Sequence, residues 1–281
     1  MDEPDHSRNQ RMLAAYGFGL FPLPAYREAA AGKWRLVRHL PSVADGYVSK
    51  AGFERDRHVL YQGRTAWMST GLLERESHAF HVHLARGVVV VAGLGLAMFV
   101  HAAAAKPDVD RVVVIEIAAD VIDLARTSCA WERWAGREKI IILQADARDE
   151  DLARHVLAAS GGRSADYLFA DIWASCADPA APVETAKMVR TLRPQAAGWW
   201  GQELSFALWW HGRGGSEGDA DIKDALTGYF AGLGVPVPVT PGYAAFCRDV
   251  MVANGMLEAG SARTSLFRRL WHGPSSLRRE R

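Results

Sequence analysis

Val88-Val89-Val90-Val91-Ala92-Gly93-Leu94-Gly95-Leu96-Ala97 is the stretch whose reading decides the fold. A β-branched run ends in Gly-Leu-Gly and passes into an alanine-rich segment, residues 96–105, that reads as a helix. Apolar side chains at consecutive positions indicate a strand buried on both faces, as in a parallel sheet covered by helices. Glycines at its end let the backbone turn sharply and approach a ligand with no Cβ in the way. Residues 87–105 would also be long enough for a membrane span of about 20 residues. Gly93, Gly95, His101 and the division into a β-branched half and an alanine half favour strand then helix.

Working outward, the same rhythm repeats. Residues 111–116, 139–143 and 166–171 are apolar strands, each followed by a helical segment at 119–129, 149–159 and 183–192. A fifth strand ends near 198–201, and 221–234 is an amphipathic helix closed by Gly234 and Pro236. Residues 235–240 and 244–253, linked by Pro241-Gly242, read as a final strand pair with an antiparallel turn. Upstream, residues 36–40, 57–61 and 65–68 are short strands leading into a helix at 74–85. The expected division is a β-containing N-terminal domain (1–86), an α/β core (87–258) and a basic tail (259–281).

Four successive strand ends carry chemistry: Gly93-Leu94-Gly95, Glu116-Ile117, Asp146-Ala147 and Asp171. Ligands of open α/β sheets bind at the carboxyl ends of the strands. A carboxylate at the end of the second strand can accept both ribose hydroxyls, and Asp146 can accept from an adenine amine. A dinucleotide fold wants a small residue where this chain has Met98, and no P-loop lysine is present. A nucleoside without phosphates is therefore favoured over NAD. S-adenosylmethionine fits, because its sulfonium is attracted by carboxylates and aromatic faces.

On these residues the segment from Val88 to Asp171 resembles the class I S-adenosylmethionine-dependent methyltransferases, in their spermidine-synthase-like branch. The glycine loop, Glu116, Gln144-Ala145-Asp146-Ala147 and residues 166–171 match that family's motifs in order. Trp67-Met68-Ser69 and Trp200-Gly201-Gln202-Glu203 are similar to stretches in uncharacterised bacterial members of the branch. The resemblance implies a Rossmann-like, seven-stranded, mostly parallel sheet with its last strand antiparallel. It implies S-adenosylmethionine as cofactor, and transfer of methyl, aminopropyl or 3-amino-3-carboxypropyl to a small-molecule acceptor. The family's Gly-Gly-Gly-Asp-Gly loop is here Ala92-Gly93-Leu94-Gly95-Leu96, without the Asp, which counts against aminopropyl transfer. Methyl transfer is the leading expectation, and a non-catalytic nucleoside-binding protein is a rival from another class.

Asp171 and Glu203 are the candidate proton acceptors, Asp171 serving alternatively to orient the methionine ammonium. Trp173, Trp200, Trp67 and Ser69 are the candidate acceptor-pocket residues. Trp199 and Trp200 point to opposite faces if extended. His78, His81 and His83 form no recognisable metal pattern, so no metal is expected. Cys176 lacks a His partner nearby in sequence.

Composition agrees with these limits. Hydrophobic residues are 49% and charged residues 23% of 281, the usual globular proportions. Lys and Arg number 33 against 32 Asp and Glu, which argues against a nucleic-acid coat. Residues 261–281 hold six Arg and one acid, a net of +5, so the other 260 residues carry −4. Three widely separated cysteines form no disulfide framework and suit a reducing cytoplasm. The N-terminus is acidic, with no apolar stretch of the signal-peptide kind. The expected partner is a small-molecule acceptor, with neither nucleic acid nor membrane, and a homodimer is left open.

Overall fold

A computed structural model describes residues 13–49, 52–214 and 222–257. The expected basic tail, 259–281, lies outside the described residues. Among the described residues eleven strands run in chain order: β1 (Ala29–Ala31), β2 (Trp34–His39), β3 (Ser42–Ala44), β4 (Gly52–Glu54), β5 (Arg57–Gln62), β6 (Thr65–Ser69), β7 (Gly87–Ala92), β8 (Val109–Glu116), β9 (Ile140–Gln144), β10 (Tyr167–Ala170) and β11 (Ala196–Trp199). The helices are α1 (Leu72–Leu84), α2 (Met98–Ala104), α3 (Ala119–Ser128), α4 (Leu152–Ala159), α5 (Ala181–Leu192), α6 (Gln202–Gly212), α7 (Ile222–Leu233) and α8 (Pro241–Ala253).

The central sheet has the order β11-β10-β7-β8-β9 and is parallel throughout. Its strands read as unbroken apolar runs because both faces are covered. Val90, Ala92, Val113, Ile115, Leu168 and Trp199 belong to one buried cluster. Their chain neighbours Val89, Val91, Val112, Val114, Phe169 and Trp200 belong to the other. Trp199 and Trp200 thus do face opposite sides. The run at 87–105 is β7, a turn and α2, and among the described residues no helix is long and apolar enough to cross a membrane.

The chain lays down β7, β8 and β9 in one direction, then returns to place β10 and β11 on the other side of β7. A crevice opens where the order reverses, between β7 and β10, at the strands' carboxyl ends. Ala92 pairs with both Ala170 and Ile115, so the residues that follow, Gly93, Asp171 and Glu116, emerge at one level.

The N-terminal segment forms an antiparallel sheet of order β1-β2-β5-β6 and a small β3-β4 ribbon. Trp34, Leu36 and Leu60 join the same buried cluster as Val89, Val91 and Phe99. One face of this sheet is therefore sewn to the core of the parallel sheet and stands over the crevice.

The expected final strand pair is not formed. Among the described residues the parallel sheet has five strands, residues 235–240 are irregular, and 241–253 is α8. Pro236 and Pro238 have no N–H for a ladder. The segment makes one contact of that kind, Ala197 N–H donating to Pro236 O at 3.1 Å. Thr240 caps α8 by accepting from Tyr243 N–H, and Pro241 begins the helix. The buried residues Tyr243, Ala244, Phe246, Cys247, Val250 and Met251 repeat at helical, not strand, spacing.

Candidate functional site

The crevice is a cavity of about 600 Å³. Gly93, Gly95, Glu116, Ile117, Asp146, Ala147, Asp171, Trp173, Trp200 and Trp67 all line it, so most of the candidate residues come together on one wall. The turn that starts it depends on its glycines. Gly93 has φ of 97° and Gly95 of 48°. A Cβ on Gly93 would strike the Asp171 carbonyl oxygen, and one on Gly95 would strike Met68 Sδ. Met68 Sδ also accepts from Leu96 N–H at 3.1 Å, fixing β6 against the turn.

Glu116 works within the protein as well as on the wall. Its Oε2 accepts from Leu94 N–H at 2.9 Å and its Oε1 from Ala118 N–H at 2.8 Å. The carboxylate thus ties the turn after β7 to the start of α3, and the residue lines the cavity. Asp146 Oδ1 accepts from Arg148 N–H at 2.9 Å. The Arg148 guanidinium grips Glu184 with two bonds of 3.0 and 2.9 Å, and Trp173 Nε1–H donates to the same carboxylate at 2.8 Å. Arg148 and Trp173 hold the Glu184 carboxyl below its usual value.

Asp171 is not alone. Its Oδ2 lies 3.1 Å from Nε2 of His78, a buried residue of α1. The other ring nitrogen, Nδ1, is 2.6 Å from the Glu74 carbonyl oxygen. A carbonyl and a carboxylate can only accept, so both contacts are satisfied when each ring nitrogen carries a hydrogen. Burial alone would pull the imidazole down, but the bond to Asp171, its charge and that of Glu74 outweigh it, and the net shift is upward.

Glu74, one turn before His78, also lines the cavity. Its Oε1 accepts from Ser69 N–H at 3.0 Å, and its buried Oε2 has no partner among the described residues. Burial, reinforced by the nearby Asp171 charge, pushes this carboxyl up to about 8. Trp200 Nε1–H donates to Ser77 Oγ at 3.0 Å, which anchors that indole to the same turn of α1. Glu74 and Met68 were not among the candidate site residues, and His78 was weighed only as a metal ligand. The signal was the run of buried polar residues on α1 (Glu74, Glu76, Ser77, His78 and His81), which solvent exposure does not explain.

Three candidates fall elsewhere. Glu203 does not line the cavity; it is wholly buried and accepts from the hydroxyls of Tyr47 and Tyr243, each at 2.9 Å. Burial pushes its carboxyl up, and two hydroxyl donors satisfy it, so it ties α6 to the N-terminal segment and to α8. Leu94 is buried behind the turn and contributes only its N–H to Glu116. Ser69 is absent from the wall and instead gives its N–H to Glu74. Cys176 packs against Gly201, and burial holds its thiol well above the usual range. Among the described residues no group of three or more His, Cys, Asp or Glu could hold a metal ion.

The titratable wall has five acids (Glu74, Glu116, Asp120, Asp146, Asp171) against two bases, Lys33 and Arg148. Arg148 is already committed to Glu184. Such a wall suits vicinal hydroxyls, amines and cations and repels phosphates.

No family model and no curated protein matches the chain. Among solved structures, the methyltransferase domain of bacterial CtHen1 is similar at 15% identity and a TM-score of 0.31, over 42% of this chain and 57% of that one. The fibrillarin pre-rRNA processing protein of Methanococcus jannaschii is similar at 12% identity and a TM-score of 0.33, over 80% of this chain and 93% of that one. The chain thus spans little more than half the length of the first of these. Likenesses of this size carry no functional assignment.

Proposed function

We propose that the protein is an S-adenosylmethionine-dependent transferase that moves a methyl group to a small-molecule acceptor. The observation that carries this reading is the convergence of four strand ends, Gly93–Gly95, Glu116, Asp146 and Asp171, on one cavity whose wall is rich in acids and aromatic rings. Its size, about 600 Å³, is that of a small-ligand site. In this reading Glu116 accepts from ribose hydroxyls, Asp146 from the adenine amine, and the turn at Gly93 lets the backbone approach the nucleoside. Asp171, held by His78, orients the methionine ammonium. S-adenosylmethionine supplies a carbon already activated by a positive sulfur, so proximity and orientation account for most of the protein's task. Trp34, Trp67 and Trp200 would form the wall for the acceptor.

Mass spectrometry of the nucleoside product tests the reading. Incubation with S-adenosylmethionine and a small-molecule extract should yield S-adenosylhomocysteine. Methylthioadenosine as the product would replace methyl transfer with aminopropyl or carboxypropyl transfer. A cofactor that stays unconsumed under all conditions would favour a nucleoside-binding protein.

A further inference from the structure

We propose that Glu184 sets the nucleobase specificity of the cleft by holding the Arg148 guanidinium off the Asp146 carboxylate, so that the site takes adenine and rejects an oxo purine such as hypoxanthine. The proposal rests on the transferase reading above, in which Asp146 accepts from the adenine amine. Glu184 touches no ligand in it and acts through Arg148, as a positioning residue.

Asp146 and Arg148 stand on the cavity wall, on the loop between β9 and α4. Glu184 belongs to α5 and lines the neighbouring groove along that helix. Asp146 Oδ1 accepts from Arg148 N–H at 2.9 Å, and Oδ2 has no hydrogen-bond partner among the described residues. With 44% of the side chain exposed, a ligand amine can reach this carboxylate.

A guanidinium so close would ordinarily occupy that acceptor. Nη1 of Arg148 is 3.7 Å from Asp146 Oδ1, near enough for strong attraction. Glu184 takes the other edge of the group: Nε donates to Oε1 at 3.0 Å and Nη2 to Oε2 at 2.9 Å. A planar fork bonded along that edge cannot turn onto a second carboxylate without breaking both bonds. Trp173 Nε1–H donates to the same carboxylate at 2.8 Å and braces it from the chain after β10. Released from Glu184, Arg148 swings onto Asp146, neutralises it and brings N–H donors to the base edge. Donors there suit a carbonyl of the base and oppose an amine.

The test is calorimetry on the full chain with S-adenosylhomocysteine, S-inosylhomocysteine, adenosine and inosine. The wild type should prefer the adenine member of each pair at least about tenfold. Glu184→Gln keeps an oxygen for Trp173 N–H but removes the charge that holds Arg148. It should weaken the adenine ligands, strengthen the hypoxanthine ones and shrink the preference below about threefold. Adding Arg148→Ala should restore a preference of about tenfold, a rescue that a merely structural role of Glu184 would not permit. An unchanged preference in Glu184→Gln, or a loss that Arg148→Ala does not rescue, would overturn the proposal. If Glu184→Gln does not fold, Arg148→Ala alone decides: the adenine preference must persist, and its loss would mean that Arg148 itself reads the base. Equal binding of S-adenosylhomocysteine and S-inosylhomocysteine to the wild type would remove this role of Glu184 and leave the transferase reading standing. Adenosine preferred over inosine, with no affinity added by the homocysteine portion, would remove the transferase reading and leave the specificity device. Binding of none of the four would remove both.

Discussion

The cleft has two halves built by different rules. At the strand-end half, carboxylates are spent on the fold itself: both oxygens of Glu116 accept from backbone N–H groups, and Asp146 accepts from Arg148 N–H. At the α1 half, Glu74 and His78 are buried beside Asp171, and Glu74 keeps an oxygen without a partner among the described residues. The first half holds its shape through its own hydrogen bonds. The second stores unsatisfied polarity, as expected where a ligand completes a site. The same contrast separates two buried helical acids. Glu203 has two tyrosine donors and lies away from the cavity, whereas Glu74 has a single backbone donor and lies on its wall.

Breaking the strand-end half should have the largest effect. Gly93→Val forces a branched residue into φ of 97° and drives its Cβ at the Asp171 carbonyl. Denaturant unfolding should show a loss of about 3 kcal/mol or more, with no nucleoside binding left. A loss below about 1 kcal/mol would mean that the turn is not strained by a side chain.

Asp171→Asn comes next, because it joins the two halves. Losing the partner of buried His78 should cost about 1–3 kcal/mol. The sign of its pH dependence follows from the upward shift of His78. A folded value above the unfolded one gives stability that is fully present below about 6.5 and is lost as pH rises through the folded value. The gap between wild type and variant in thermal unfolding should therefore be widest in acid and narrow in base. The opposite trend would show that His78 is neutral beside Asp171.

Glu203→Gln should have the smallest effect on the cleft. Nucleoside affinity should change less than about twofold, with about 1 kcal/mol lost from the core as its bonds to Tyr47 and Tyr243 are rearranged. A tenfold loss of affinity would couple this buried network to the cavity.

The two halves also differed in how far the sequence revealed them. The strand-end half was legible because parallel-strand ends are local signals: an apolar run, then a glycine or an acid, then a helix. Nine of the candidate residues consequently line the cavity from the strand-end side, and Trp67 reaches it from β6. The α1 half was not legible. His78 meets Asp171 across 93 positions of chain, and only the tertiary fold brings them together. Glu203 looked like a strand-end acid of the same kind, yet the first turn of α6 turns it into the core. Residues 244–253 were misread because a short, strongly apolar segment carries both periods weakly; its buried positions follow the helical one.

The central claim is that the strand-end half holds a phosphate-free nucleoside, and calorimetry of S-adenosylmethionine against NAD tests it most directly. Micromolar binding of S-adenosylmethionine is expected, weakened about tenfold by Glu116→Ala, with no heat from NAD. Micromolar NAD binding with none of the sulfonium would contradict it.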